Sequence, residues 1–131
     1  MSIDYKKIPS PAYVLEEDKL RNNLALLKRV QEEADIHIIC ALKGFSFHAV
    51  FPLVKQILHG ATASSLHEAK LVFDKMGVKA HTYCPVYVPS EFDEIQAISS
   101  HITFNSLSEY ERYKTKMNTG ISYGIRVNPG Y

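Results

Sequence analysis

Apolar residues recur at two different periods along this chain, and the two alternate. From Asp18 to about Ala34 they fall at Leu20, Leu24, Leu27 and Val30, one stripe of a 3.6-residue period, which predicts a helix. Ahead of it, Pro11-Ala12-Tyr13-Val14-Leu15 reads as a short extended segment. Ile36 to Leu42 is almost continuously apolar, as a parallel strand buried on both faces would be. Phe47 to Leu58 predicts a second helix, with Pro52 expected to kink it. Ala61-Thr62-Ala63 is a brief strand. Ser65-Leu66-His67-Glu68 then matches a capping box, in which Ser65 accepts from the Glu68 N–H and the carboxylate reaches back. The helix it opens should turn Leu66, Ala69, Val72, Phe73 and Met76 inward and close at Gly77, a residue suited to a left-handed C′ position. Val78 to Cys84 predicts a strand, Pro89 to Ser99 a helix and His101 to Phe104 a strand. Ser106-Leu107-Ser108-Glu109 is a second capping box, opening a helix to about Lys116, and Ser122 to Val127 is the last strand.

The strands therefore begin near residues 36, 61, 79, 101 and 122, about 20 to 25 residues apart, the length of one strand, one helix and two short loops. Repeated βα units form either an open doubly wound sheet or a (β/α)8 barrel. No GxGxxG and no GxxxxGK[ST] follows a strand, so neither a dinucleotide nor a Walker-type phosphate site is signalled, which favours the barrel. The predicted fold class is α/β, the N-terminal part of a (β/α)8 barrel in about five βα units. A whole barrel needs eight units and about 250 residues. The 131 residues look like one ordinary domain, yet five units ending on Asn128-Pro129-Gly130-Tyr131 are expected to be the first third of a longer enzyme.

Composition narrows the classes. With 46% hydrophobic and 22% charged residues the chain is not a disordered one. Fifteen Lys and Arg against 14 Asp and Glu give a net charge of +1, so neither nucleic acid nor membrane is expected as a partner. Cys40 and Cys84 form no CxxC pair and read as buried reduced thiols. The first ten residues lack an apolar signal core and no run approaches the 18 or so apolar residues of a membrane span, so a cytoplasmic location is expected.

In barrels the chemistry sits at the C-terminal ends of strands. Those positions offer Lys43 and Gly44, Ser64 and Ser65, Cys84 and Pro85, Asn105 and Ser106, and Arg126 to Asn128. A lysine closing an apolar strand would be desolvated, burial favours the neutral amine, and a neutral amine forms a Schiff base with an aldehyde. The plainer alternative is a lysine that snorkels its amine to water. Arg126, within Ile125-Arg126-Val127, could hold a carboxylate, phosphate or phenolate oxygen, or sit in an outward salt bridge. Ser64, Ser65, Asn105 and Ser106 precede helices and are first of all caps, with the alternative of donating to a ligand. The six histidines make no HxH or HExxH pair, so no metal site is expected.

At Lys43 the chain resembles a known family. Cys40-Ala41-Leu42-Lys43-Gly44-Phe45 is similar to the strand bearing the pyridoxal phosphate lysine in the alanine racemase-like fold, which includes ornithine, diaminopimelate and carboxynorspermidine decarboxylases. Pro9 to Leu15 with Asp18-Lys19-Leu20 resembles that family's N-terminal strand and first helix. Thr62 to Ala69, His81 to Pro85, Phe104 to Ser108 and Gly124 to Pro129 resemble its later strand ends, in order. Ala-Leu-Lys-Gly-Phe, Thr-Ala-Ser-Ser-Leu, His-Thr-Tyr-x-Pro and Phe-Asn-Ser-Leu together resemble the carboxynorspermidine/carboxyspermidine decarboxylases. Ornithine and diaminopimelate decarboxylases usually carry Asp where this chain has Ala61, which removes a carboxylate from the lysine's neighbourhood.

The resemblance implies a PLP-binding (β/α)8 barrel over residues 17–131 and, over 1–16, an extended segment that pairs with a C-terminal β-domain not in this chain. It implies pyridoxal 5′-phosphate as cofactor, held by Lys43, with Arg126 near its ring oxygen and Ser64 and Asn105 as further contacts. It implies a polyamine carboxylate as substrate, norspermidine or spermidine as product, and a homodimer with shared active sites. The phosphate-binding loop, the partner of the pyridine nitrogen and the later catalytic residues lie outside the chain, so the 131 residues alone are expected to be inactive. Four other readings stand beside this one: a decarboxylase of diaminopimelate or another basic amino acid, a non-catalytic pyridoxal phosphate carrier, a cofactor-free Schiff-base aldolase, and an inert fragment. The leading Pro-x-Tyr-Val segment, usually missing from the carriers, favours a decarboxylase.

Overall fold

The computed structural model describes residues 3–130. Its first long element is α1, Glu17–Ala34, which places Glu17 and Asp18 at the positive end of the helix dipole and ends at Asp35 in a left-handed conformation (φ 51°). Five short parallel strands follow in strict sequence order: β1 (Cys40–Ala41), β2 (Ala61–Ala63), β3 (Ala80–Tyr83), β4 (Ser99–Phe104) and β5 (Ser122–Ile125). Each pairs with the next in parallel. A doubly wound sheet reverses its order at a switch point. This one does not, and an unbroken order is that of a barrel wall.

Between the strands lie α2 (Phe51–Val54), α3 (Leu66–Leu71), α4 (Phe92–Ile98) and α5 (Leu107–Tyr113). All of them pack on one face of the sheet. Under β1 and β2 the core holds Leu24, Leu42, Phe51, Val54, Ala61, Ala63, Val72 and Met76. Under β3 to β5 it is built on Tyr87, Phe92, Ile102, Phe104 and Tyr113. Tyr87 is the fastening of that half. Its ring meets Phe92 and Phe104 edge-on, at centroid distances of 5.6 and 5.7 Å. Its hydroxyl lies 3.0 Å from the carbonyl oxygens of Thr82 and Thr103, joining the ends of β3 and β4. Its backbone is held by the Glu109 carboxylate at the N–H and by the Tyr113 hydroxyl at the carbonyl.

Several predicted elements change shape. The apolar run from Ile36 yields only a two-residue ladder, Cys40–Ala41, and Ile36 is exposed. The Phe47–Leu58 helix is a 3-10 turn over His48–Val50 leading into α2. Pro52 lies in the first turn, where its missing N–H costs nothing, and does not kink a helix. Helix α3 continues through a π-type turn over Val72–Met76 and closes at Gly77 with φ +68°, as expected; Phe73, predicted to point inward, is exposed. In α1 the inward position is taken by Gln31 while Val30 is more than a third exposed. The Pro11–Leu15 segment pairs with no strand among the described residues.

Gln31 explains that exchange. Its amide donates to the Ile57 carbonyl at 3.0 Å, and its oxygen accepts from the Ile38 N–H at 2.8 Å and faces Nδ1 of His59 at 2.9 Å. It ties α1 to the approaches of β1 and β2, where two residues of ladder cannot. Replacing Gln31 by Ala leaves a buried N–H and a buried carbonyl unpaired, so Gln31→Ala should lower the unfolding free energy of the protein by about 2–4 kcal/mol in denaturant titration, with the slope unchanged.

Candidate active site

The strands alternate sides residue by residue, and burial shows which side is which. Ala61, Ala63, Ala80, Thr82, Ile102 and Phe104 are buried against the helices. The opposite, polar face therefore carries Thr62 and Ser64, then His81 and Tyr83, then His101, Thr103 and Asn105, then Gly124 and Arg126. In a closed barrel this face lines the interior, and its last members stand at the C-terminal strand ends.

Lys43 lies two residues beyond β1, in a tight turn whose Gly44 and Phe45 N–H groups both reach the Ala41 carbonyl at 3.0 Å. Leu42 is driven into the helix-side core, and Ala41 and Lys43 are left exposed. The predicted desolvation of Lys43 is thus absent. Ala61 is fully buried on the helix side; at that level Thr62 faces the polar side.

The capping boxes hold the next strand ends. Ser65 accepts from the Glu68 N–H and Ser106 from the Glu109 N–H, both at 3.2 Å. The carboxylates overshoot the caps: Glu68 accepts from the Ser64 N–H at 2.7 Å and Glu109 from the Asn105 N–H at 3.0 Å. A strand running straight into its helix puts the residue before the cap nearest the carboxylate. Both boxes thereby fix the backbone of the two predicted contact residues, Ser64 and Asn105, and leave their side chains for other partners.

Those of Asn105 and Arg126 come together through a residue the sequence reading passed over. Arg126 donates from Nη1 to the Tyr83 hydroxyl at 2.6 Å, its guanidinium carbon stands 5.4 Å from the centre of the Tyr83 ring, and the Tyr83 hydroxyl donates to Oδ1 of Asn105 at 2.7 Å. The backbone of Arg126 is also tied to β4, its N–H reaching the Phe104 carbonyl at 2.9 Å. Reading the third strand through Cys84 pointed to Cys84 and Pro85 as its end. The ladder stops at Tyr83, and a shift of one residue exchanges faces. Counting in twos from His81 would have found it. Cys84 instead faces the core, where burial and then the nearby Glu109 raise its thiol pKa to about 11, an inert group.

Deeper on the same face the rings of His81 and His101 stack at 3.9 Å. Burial, and then the charge of His101, hold His81 below its ordinary pKa. Among the described residues no three His, Cys, Asp or Glu side chains are placed to share a metal ion. Among the described residues no helix is long and apolar enough to cross a membrane.

No family model matches the sequence. The chain is 45% identical over 125 residues to a carboxyaminopropylagmatine decarboxylase of Synechocystis sp., covering 95% of this chain and 32% of that protein. It is 43% identical over 124 residues to a carboxynorspermidine/carboxyspermidine decarboxylase of Campylobacter jejuni, with the same two coverages. A crystal structure of carboxynorspermidine decarboxylase from Campylobacter jejuni, complexed with norspermidine, superposes with a TM-score of 0.90 at 41% identity, over 95% of this chain and 34% of that one. This chain is similar in sequence to the carboxynorspermidine/carboxyspermidine decarboxylases. It spans about a third of the length of the curated relatives it matches. The five-stranded parallel sheet with its helices matches the N-terminal part of that barrel. A D-threonine aldolase from Filomicrobium marinum shares the fold alone, with a TM-score of 0.77 at 13% identity.

The His81 shift carries a pH dependence. A histidine held below its ordinary pKa favours the neutral form in the folded state, so its contribution is complete above about pH 6.5 and is lost as the pH falls below that value. The thermal unfolding midpoint should therefore drop between pH 7 and 5, and His81→Gln should flatten the drop.

Proposed function

We propose that this chain provides the lysine-bearing part of a pyridoxal 5′-phosphate-dependent decarboxylase that converts carboxynorspermidine or carboxyspermidine to norspermidine or spermidine. The observation that carries the reading is the placing of Lys43, an exposed amine, and Arg126, a braced guanidinium, at C-terminal strand ends of one barrel wall. The likeness to a structure complexed with norspermidine supports the substrate class.

The donors present fit one end of the cofactor. A primary amine suits its aldehyde, and a guanidinium suits the oxygen on its ring. Lys43 would hold the cofactor's aldehyde end through Nζ, and the same amine would be placed to hold or deliver a proton. Arg126 would hold the cofactor's ring oxygen through its N–H groups. Ser64 offers its hydroxyl, and Asn105, whose Oδ1 is taken by Tyr83, offers Nδ2. When bound, pyridoxal phosphate supplies an electron sink for the pair left behind as the carboxylate departs as CO2. The barrel part runs from residue 17 to 131, of which residue 131 lies outside the described residues, and the extended segment ahead of α1 joins a β-domain. The enzyme acts in the cytoplasm as a homodimer with shared active sites; the two buried, unpaired cysteines suit a reducing compartment.

Carboxyaminopropylagmatine is the second substrate to test, because the Synechocystis relative is named for it. All three substrates are polyamines with a carboxylate beside an amine, which the same lysine chemistry would serve. The full-length protein should show a cofactor absorbance band that Lys43→Ala abolishes, with CO2 release falling by about 10³-fold or more. CO2 release should be measured with these three substrates and with diaminopimelate and ornithine. A band retained in Lys43→Ala would refute the role of Lys43, and turnover of ornithine alone would refute the substrate class.

A further inference from the structure

We propose that Tyr83 is a positioning residue for Arg126, fixing the guanidinium from below so that its remaining N–H groups face the cofactor's ring oxygen. The proposal rests on the cofactor reading above. Tyr83 is on β3 and Arg126 follows β5, so the contact reaches across the whole width of β4. Two interactions converge on one guanidinium, a hydrogen bond from Nη1 and the face of the ring.

The direction of the chain is set by chemistry. A guanidinium has only donors, so the Tyr83 oxygen must accept from it. The phenolic proton is thereby directed elsewhere, and Oδ1 of Asn105 receives it at 2.7 Å. Asn105 is itself anchored, since the Glu109 carboxylate holds its N–H. The line Glu109, Asn105, Tyr83, Arg126 thus runs from a buried carboxylate to the strand end. Each member fixes the next, and the hydroxyl is the step through which the order passes. A free arginine on an edge strand would sample several rotamers, and small misplacements of a positioning group cost rate steeply.

The test uses Tyr83→Phe, which keeps the ring beneath the guanidinium and removes only the hydroxyl, with Asn105→Ala as a second variant. In the full-length protein loaded with pyridoxal phosphate, Tyr83→Phe should move the pH at which the cofactor's visible band changes by about one unit, because a looser guanidinium supports the ring oxyanion less. It should lower kcat about tenfold with KM changed less than about twofold. Asn105→Ala should do the same to a smaller degree, and neither variant should shift the unfolding midpoint as a core mutation would. Independently of the cofactor, nitrogen NMR of the unloaded protein should show separate Arg126 Nη signals that merge in Tyr83→Phe. Guanidinium signals and band titration that are the same in wild type and Tyr83→Phe would overturn the proposal. A wild-type protein that takes up no pyridoxal phosphate would instead refute the cofactor reading, while Tyr83-dependent guanidinium signals would still support the anchoring.

Discussion

Alternation along very short parallel strands is the constraint from which the rest of this chain follows. With two to six residues in each strand, only one or two side chains per strand reach the polar face. The remainder are committed to the helix layer. Such strands have few ladder bonds to hold them, so their ends must be secured by other means. Burial supplies part of that at β3 and β4, where the Phe92, Phe104 and Tyr113 rings stack behind the sheet. Side-chain hydrogen bonds to backbone supply the rest.

Those bonds form a pattern. Glu68 secures the residue before its helix, Glu109 does the same one unit later, and Gln31 does the equivalent work at the opposite end of the sheet for β1 and β2. Glu109 does more than Glu68, since it also accepts from the Tyr87 N–H at 2.8 Å. One carboxylate therefore couples the loop after β3 to the loop after β4. The Tyr87 hydroxyl couples the same two strand ends from the core side. Tyr83 and Asn105 emerge from strand ends fastened on both sides of the sheet, and for that reason a hydrogen bond between their side chains can carry position as well as energy.

The order and type of the elements were legible in the sequence because each βα unit carries its own signals: a stripe, a capping box, a glycine at φ +68°. Lys43 stood out because it ends an apolar run, and Arg126 because it lies within an apolar strand. What escaped is what depends on partners far along the chain. Gln31 reads as a polar residue beside an apolar stripe until Ile38, Ile57 and His59 are brought to it. The burial state of Lys43 was not legible either, since burial of a strand end is a property of the surrounding strands. Tyr83 was lost to a boundary error of one residue, which in a strand exchanges one face for the other.

That error also shows why Arg126 alone is an incomplete description of its strand end. An arginine projecting just beyond a strand end has a long, flexible stem whose rotamer freedom must be given up before it can present a fixed donor. Here the phenol and ring of Tyr83 meet part of that cost in advance. They can do so only because the polar face brings residues 43 positions apart into contact across an intervening strand. The aromatic ring accepts the charge without competing for it, as a carboxylate in the same place would, and so the guanidinium keeps its charge for an incoming oxygen. A carboxylate at position 83 would anchor the arginine more tightly and neutralise it, which is the wrong exchange for a group whose proposed task is to hold an anionic oxygen in place.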